Sequence, residues 1–498
     1  MKRTVIGCMM AFCTMQAVEA GGVLEKISAR QQYAYQFAST SPSLQMAALR
    51  YFSEEPSLSG LSIGFHSSPS SADRLPQQGD GGRAWQVEAT SFYRLGSYDC
   101  VWGEASYING RRYNVRWCET SDFELVYPYV MADDRGGDLH YEQYMLHGGY
   151  SRRWHHLLYG FTLGYRALSE YRQRDPRPNN TVADLAGSLS FGYSWERYAA
   201  ALSFEAGKYK QTNELVYFND LGAQKEYHLT GIGNDFARFS GNNNTTFFKG
   251  HRLGGTIGLS PLRAIGLYAS LRYQHLHLDK VITNLNRLVL NEINEDQWSA
   301  QGSWQHRRWG ARLSGTYTRR RGKDNLFGDP SGNVYPQIGS RDMYDAKHYR
   351  VMLSGYYEAI LSQRFNVGIS PATGLSGFES KHTDSGNQFN AHQWHYGLTL
   401  YGEWHTKKDR VVLTTMMDGR QETNGTLRLN ETSTIELENM LNGIRDYLHQ
   451  GETHFGASIE YDHAIQETWG LVVKGGWQHA AYGGNHANLY EVSVGVSM

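Results

Sequence analysis

The C-terminal residues of the chain alternate strictly between apolar and polar or small side chains. The apolar positions are Tyr490, Val492, Val494, Val496 and Met498, and the positions between them are Glu491, Ser493, Gly495 and Ser497. Successive side chains of a β-strand point to opposite faces. A carboxylate and two hydroxyls are costly against lipid, so the second face has to look inward. The segment is therefore predicted to be a membrane strand with one lipid-facing side.

The same alternation recurs upstream in at least four segments. They are Tyr159–Ala167, Leu185–Trp195, Phe455–Tyr461 and Leu471–Trp477. A soluble β-sandwich also alternates, but its strands are usually about five to six residues long. The longest segments here reach the length of about nine to eleven residues that a membrane-crossing strand needs. We therefore predict an all-β fold, namely a transmembrane antiparallel β-barrel.

The N-terminal residues have the features of a signal peptide. Lys2 and Arg3 precede a largely apolar run, Val5–Val18, and the small residue Ala20 marks the exit, so residues 1–20 are predicted to be the leader. A lipoprotein reading would use Cys8, but it leaves almost no leader ahead of the cysteine. Beyond the leader, no stretch approaches the ~18 to 20 uninterrupted apolar residues of a membrane helix. A helical membrane protein is therefore excluded.

Charge and cysteine content limit the partners of the chain. The formal net charge is -1, which gives no electrostatic attraction for nucleic acid. Two of the four cysteines lie in the leader, which leaves Cys100 and Cys118 in an oxidising compartment. A bridge across a hairpin turning at Asn109-Gly110 and a pair of free thiols are both open.

Connections between the predicted strands alternate in length, as in barrels that have short periplasmic turns and long external loops. The predicted short turns are Arg152–His156, Trp195–Arg197, Ser260–Arg263, His306–Trp309, Leu361–Arg364, His405–Asp409 and Ile465–Thr468. The predicted long loops are Glu119–Leu139, Ser169–Val182, Gln211–Asn244, Asp279–Glu295, Arg321–Asp345, Ala372–Asn390 and Gly419–Gly451. The count predicts roughly 16–18 strands over residues 59–498. The exact number depends on Asn109-Gly110, a hairpin signal that either caps a separate short pair of strands or merely interrupts one long strand.

Residues 21–58 precede the first strand and are predicted to be a short helical segment. The two helical pieces are Leu24–Phe37 and Leu44–Phe52, with Ser43 as the N-cap of the second. A barrel of this size is wide enough for an aqueous channel unless something fills it. The segment is either a small plug in the lumen or a periplasmic tail or lid beside it.

The inward positions of the predicted strands carry ionisable side chains of both signs. The candidates are Glu88, Glu104, Arg166, Glu205, Arg252, Arg272, Arg312, Glu358, Glu403, Glu460, Lys474 and Glu491. They form either a charged path that selects solutes by size and sign or a mutually neutralising network that holds a wide barrel rigid. Similar numbers of each sign favour the network.

Nothing in the sequence points to a metal, a cofactor or a catalytic centre. His275 and His277 share one strand face, but it is the lipid-facing one, and a metal needs three or four converging ligands. The string Gly60–Gly64 has the spacing of a nucleophile elbow, yet it lies inside an alternating strand with no helix after it. Ser62 and His66 share a face and stand about 13 Å apart along the strand, too far to bond. We therefore predict a protein that is not an enzyme.

Three strings resemble a family of Bacteroidota outer-membrane β-barrel proteins catalogued as domain of unknown function 6850. They are Gly103–Gly110, Tyr127–Asp133 and Tyr171–Pro178. The resemblance implies the fold and the outer-membrane location but no reaction, ligand or catalytic residue. One departure from outer-membrane barrels in general is Met498, where an aromatic residue is usual. In the third string, Asp175 and Arg177 are interpreted as a latch for the loop, with ligand contact as the alternative.

The sequence as a whole predicts a channel or transport component for a small nutrient in the cell outer membrane. The alternatives are a scaffold of a surface complex that transports nothing, and a hydrolase at the barrel rim. Expected partners are outer-membrane lipid, the barrel-assembly machinery, and a surface or periplasmic protein.

Overall fold

The alternating segments pair in sequence order into one closed antiparallel barrel of 18 strands, so the strand number is at the upper end of the predicted range. The computed structural model describes residues 22–498 except 32, 54, 71–74, 220–225, 237–244, 284 and 333. The predicted signal peptide lies outside these residues. The barrel strands are β1 Leu58–Pro69, β2 Gly81–Arg94, β3 Asp99–Val115, β5 Gly137–Trp154, β6 Leu157–Arg172, β7 Arg177–Ser194, β8 Tyr198–Val216, β11 Thr246–Pro261, β12 Gly266–Ile282, β13 Leu288–Gln305, β14 Trp309–Phe327, β15 Gln337–Ser362, β16 Phe365–His382, β17 Gln388–His405, β18 Asp409–Arg428, β19 Glu452–Gln466, β20 Trp469–Tyr482 and β21 Asn485–Ser497. The barrel closes where β1 pairs with β21.

Helices and three short strands lie outside the barrel wall. The N-terminal helices are α1 Val23–Gln31, α2 Tyr33–Ser39, α3 Pro42–Gln45 and α4 Ala47–Arg50; the later helices are α5 Phe123–Val126 and α6 Ile435–Gln450; the short strands are β4 Met131–Ala132, β9 Tyr227–Gly231 and β10 Asn234–Asp235. Within the described residues, no helix is both long and apolar enough to cross a membrane. The predicted second helix is instead two single turns, because Met46 between them is extended, and Ser41 rather than Ser43 occupies the N-cap.

The outward face of the barrel is an apolar belt. Many large side chains there are about half exposed, for example Leu163 and Leu189 at 58% and Val492 at 56%. Each alternates with a polar or small inward residue, as the sequence pattern predicted. A closed barrel with such a belt satisfies all its backbone groups and exposes hydrocarbon only to lipid. The protein is therefore an outer-membrane β-barrel.

The Asn109-Gly110 pair does not form a hairpin. It lies in the middle of β3, where Asn109 pairs with Trp85 on one side and Glu142 on the other. Of the two alternatives, the structure therefore has the one in which this pair lies within a single long strand, because both neighbouring strands continue past it.

Four external loops are shorter than predicted, because their strands continue beyond the apolar belt. The connections lie at 173–176, 283–287, 328–336 and 383–387. Toward the external end the side chains no longer alternate between lipid and lumen, so alternation does not mark the strands although the hydrogen-bonded ladders continue. The external end of the barrel is therefore a tall wall.

Candidate functional site

The N-terminal segment, residues 22–57, packs inside the periplasmic end of the barrel. Its apolar side chains form one buried cluster with inward-facing wall residues. The cluster consists of Ala38, Leu44, Met46, Ala48, Leu49, Phe52, Leu158, Ala199, Ala201 and Tyr268. The four helices contact strands around the barrel, from β1 and β5–β8 through β11, β12 and β14 to β19 and β20. The segment therefore spans the lumen.

Glycines on the barrel wall make room for this segment. A Cβ on Gly258 would lie 2.4 Å from the Met46 Sδ and 3.3 Å from the Ser43 Cα and Cβ, all of them atoms of the segment. Likewise, a Cβ on Gly160 would lie 2.9 Å from Ala47. Such distances are shorter than van der Waals contact, so these wall positions accept only glycine while the segment is seated.

Polar contacts also hold the segment. Within it, Glu55 is almost fully buried and binds Arg50 at 2.6 Å and also Arg30. On the wall, Arg312 donates to the Phe37 carbonyl and, at 2.9 Å, to the Thr40 hydroxyl. Every one of these contacts is non-covalent, so the segment can leave its seat without the breaking of a covalent bond.

A second assembly, the external cap, fills the opposite end of the lumen. It consists of residues 116–135 with α5 and β4, residues 226–235 with β9 and β10, and α6. Its buried residues are Trp117, Val126, Tyr129, Val130, Tyr227, Leu229 and Leu437, and they pack on inward-facing Leu139, Leu168, Val182, Tyr209, Phe248, Leu278 and Ile293. The sequence predicts polar external loops for this part of the chain. The only signal was the apolar run Val126–Ala132, which has no period.

A buried ionic cluster fastens the cap to the wall. Arg172, at the end of β6, binds Asp133 at 2.6 Å and Glu119 at 3.5 Å, and all three side chains are inaccessible to solvent. Asn180 and Asn213 both donate to the Glu119 carbonyl at 2.8 Å. Burial, together with the nearby Asp133 carboxylate, raises the pKa of Glu119 well above the usual carboxyl range. Arg172 is therefore the cation that the buried Asp133 carboxylate depends on.

Asp175 and Arg177, in the string Tyr171–Pro178, form a latch between two external loops. Arg177 donates to Asp175 at 2.6 Å and stacks over Phe218, with its guanidinium 3.9 Å from the ring centre. Asp175 in turn accepts the backbone N–H groups of Phe218 and Asn219 at 3.1 Å. The loop 173–176 is thus tied to the end of β8.

Between the segment and the cap, cavities follow the wall on which the barrel closes. We call the two cavities along β20, β21, β1 and β2 the seam passage. Its upper cavity, of about 430 Å³, lies between His66, Gly82, Arg112 and Gln478. Its lower cavity, of about 380 Å³, is lined by Gly60, Ser62, Glu88, Lys474 and Ser493 and ends on Ile27 and Arg30 of the N-terminal segment. The two cavities therefore follow one another along the seam, and the lower one ends on α1.

Two further cavities lie away from the seam. A central one of about 540 Å³ lies over Gln45 and Met46 of the segment and is walled by charged and small residues. The other, of about 640 Å³, lies under the cap beside β13–β17. Its walls are largely apolar, with Tyr127, Tyr344 and Phe378 beside the single ion pair of Arg320 and Glu295.

The structure places the twelve predicted lumen residues on inward positions of their strands. Around the central cavity lie Glu104, Glu205, Arg252 and Arg272; along the seam passage lie Glu88, Lys474, Glu491 and Glu460; beside the N-terminal segment and the periplasmic turns lie Arg312, Glu358 and Glu403; beneath the cap lies Arg166.

Most of these residues are engaged in pairs of opposite charge. Arg272 binds Glu205 at 2.5 Å, and Lys474 binds Glu460 at 2.6 Å. Arg252 binds Asp184, and Arg166 binds Asp122 of the cap. Buried Arg410, which the sequence reasoning missed, joins Glu403, Glu460 and Asp462 at 2.6–3.1 Å. The role of Arg410 depends on carboxylates from the two neighbouring strands, and the sequence does not show which strands are neighbours.

The structure also places the cysteines, the histidines and the Gly60–Gly64 string that the sequence singles out. Cys100 and Cys118 are both free and buried, and burial raises the pKa of the Cys118 thiol to about 12. His275 faces outward and binds Asp296 at 2.9 Å. Among the described residues, no three His, Cys, Asp or Glu side chains converge as a metal site would require. Gly60–Gly64 lies inside β1, with Ser62 and His66 both on its inward side.

These features define the class of protein: an outer-membrane β-barrel whose lumen holds an N-terminal segment at one end and a folded cap at the other. The chain belongs to the family of unknown function DUF6850, whose sequence model matches residues 46–498. The family resemblance inferred from the sequence is confirmed, whereas the assignment to Bacteroidota stays a prediction.

Solved structures of outer-membrane proteins are similar to this fold at low identity. The ferric citrate transporter FecA, unliganded, is 10% identical with a TM-score of 0.41, over 88% of this chain and 78% of that one. BauA, the ferric preacinetobactin receptor from Acinetobacter baumannii, is 9% identical with a TM-score of 0.40, over 88% and 80%. The CymD monoaromatic hydrocarbon channel is 10% identical with a TM-score of 0.32, over 92% and 96%. No curated protein sequence matches the chain.

Proposed function

We propose that the protein is a gated outer-membrane transporter that admits a small polar nutrient along the seam passage. The observation that carries the proposal is that the lower cavity of this passage ends on Ile27 and Arg30 of α1, at the periplasmic end of the barrel. The N-terminal segment is the gate in this proposal. Solute reaches the periplasm only when the segment leaves its seat.

The chemistry of the passage supports a small polar solute. Glycine and serine side chains leave space on the wall, and charges of both signs face each other there, as in Lys474 with Glu460 and His66 with Glu491 at 3.4 Å. Such a lining offers donors and acceptors without a strong field of one sign. The paired charges also favour the neutralising network over a charge filter for the twelve lumen residues.

The proposal includes partners but no catalytic step. Lipid surrounds the apolar belt, the barrel-assembly machinery inserts the protein, and a periplasmic or surface protein moves the N-terminal segment.

Single-channel conductance in a planar bilayer tests the proposal. Full-length protein should be silent, and a variant lacking residues 22–56 should give steady ohmic current, because the lower cavity then opens to the periplasm. Correct folding of both is checked by heat-modifiable migration. Silence from the folded deletion variant would contradict a transporter and favour a scaffold in a surface complex.

A further inference from the structure

A cluster of cationic side chains lies on the outer surface of the barrel, where β8 pairs with β11. Lys208 and Lys210 face outward on β8, and Lys249 and His251 face outward on β11. The register sets Lys210 directly opposite Lys249, and Lys208 directly opposite His251. We call these four residues the basic patch.

The basic patch is poor in compensating charge. Lys249 binds Asp279 at 3.2 Å, whereas Lys210 has only the ring of Phe247 at 5.1 Å. Within the described residues, neither Lys208 nor Lys210 contacts a carboxylate. Like charges directly opposite each other across strands are destabilising, so the arrangement is costly unless an anion joins it.

Three outward-facing cations on β14 are paired. On β14, Arg319 binds Asp345 at 2.8 Å and Arg321 binds Asp296 at 3.5 Å. Lys323 binds Glu292 at 2.9 Å. These three cations therefore have the carboxylate partners that Lys208 and Lys210 lack.

The height of the basic patch matches the outer headgroup region. From Tyr198, where β8 leaves the periplasmic turn, ten residues lead to Lys208, which is about 33 Å along the strand and about 25 Å along the membrane normal at the usual tilt. That is the height of the apolar band of such barrels. Immediately below lie Leu185, which pairs with Lys208, and exposed Phe204 and Leu253.

We propose that the basic patch binds the phosphate of a glycolipid in the outer leaflet of the membrane. Opposed Cβ atoms are about 5 Å apart across the strands and successive outward residues are about 7 Å apart along them, so the cationic groups surround one phosphate. The acyl chains of the same lipid lie on the apolar side chains below. The site is independent of the lumen and therefore of the transport proposal.

Titration of the detergent-solubilised full-length protein with monophosphorylated lipid A, followed by native mass spectrometry, tests this site. The double variant Lys208→Gln/Lys210→Gln should bind about 30-fold more weakly, because each cation near an anionic surface contributes about fivefold. The matched control is Arg319→Gln/Arg321→Gln, which removes two outward cations that already have partners and should bind as the wild type does. Both variants are checked for heat-modifiable migration.

Two probes separate the phosphate from other sources of affinity. Dephosphorylated lipid A should bind weakly to the wild type, at the level of phosphorylated lipid A on the double variant. Inorganic phosphate should not compete for the site, because it lacks the acyl chains. Equal loss of binding in the two double variants would overturn the proposal, since it would show a general charge effect. So would equal binding of the phosphorylated and dephosphorylated lipids.

Discussion

Replacement of Gly258 by leucine should unseat the N-terminal segment. The Cβ alone would lie 2.4 Å from the Met46 Sδ and 3.3 Å from the Ser43 Cα. Met46 can move its flexible end, but the remaining three carbons of leucine then meet the Ser43 backbone. Overpacking of this kind costs about 1–3 kcal/mol. Because the nearest obstructing atoms belong to the segment, the strain is relieved when the segment leaves.

The cost converts to a change in gating. At about 1.4 kcal/mol for each tenfold change, the open fraction should rise about 5- to 150-fold. The assay is the open probability of single channels under identical voltage and salt. Gly164→Leu is the matched control, because Gly164 also faces inward from a strand, and its Cβ would meet nothing closer than His147 at 3.4 Å. Equal open probabilities in the two folded variants would refute the reasoning.

Two more predictions concern the external cap. Arg172→Met should weaken the seating of the cap by about 3–5 kcal/mol, because it leaves the buried Asp133 carboxylate without its cation. Faster proteolysis within Trp117–Val130 of an otherwise intact barrel would show that the cap is released. Unchanged cleavage would contradict the prediction. Burial and the nearby Lys280 hold the pKa of His228 in the cap well below its usual 6.5. The released cap therefore takes up a proton at His228 that the seated cap excludes, so the contribution of this histidine to seating is fully present above about pH 6.5 and is lost as the pH falls below it. Amide hydrogen exchange of β9 should accelerate on acidification in the wild type but not in His228→Leu, and the same acceleration in both would rule out this histidine.

The parts of the fold that the sequence predicts are those that face lipid. In β6, β7 and β19–β21, hydrocarbon on one side forces period-two alternation, so strands and their inward residues can be read directly. Where that contrast ends the pattern ends as well, so the sequence predicts a loop over Asp279–Glu295, whereas β12 continues to Ile282 and β13 begins at Leu288.

The candidate site was less predictable because it depends on contacts between distant segments. The apolar residues Val126, Tyr129 and Val130 sit in a run too short to show a period, so nothing local marks them as the underside of a cap. Ion pairing likewise requires the register. Arg272 reaches Glu205 across the intervening strand β11, and no sequence separation encodes that neighbour.

The strand that closes the barrel is also the strand that carries the N-terminal segment. The β1–β21 ladder runs over Gly60–Ser67, with two further hydrogen bonds between Ser59 and Met498, and is shorter than the neighbouring ladders. The segment is joined to β1 directly before Leu58. A pull on the segment toward the periplasm acts along the axis of β1. The hydrogen bonds to β2 and β21 lie across that axis, so they share the load in shear and do not open one after another. When the segment is pulled out mechanically, the short β1–β21 ladder is therefore loaded in shear, the direction in which its hydrogen bonds resist best.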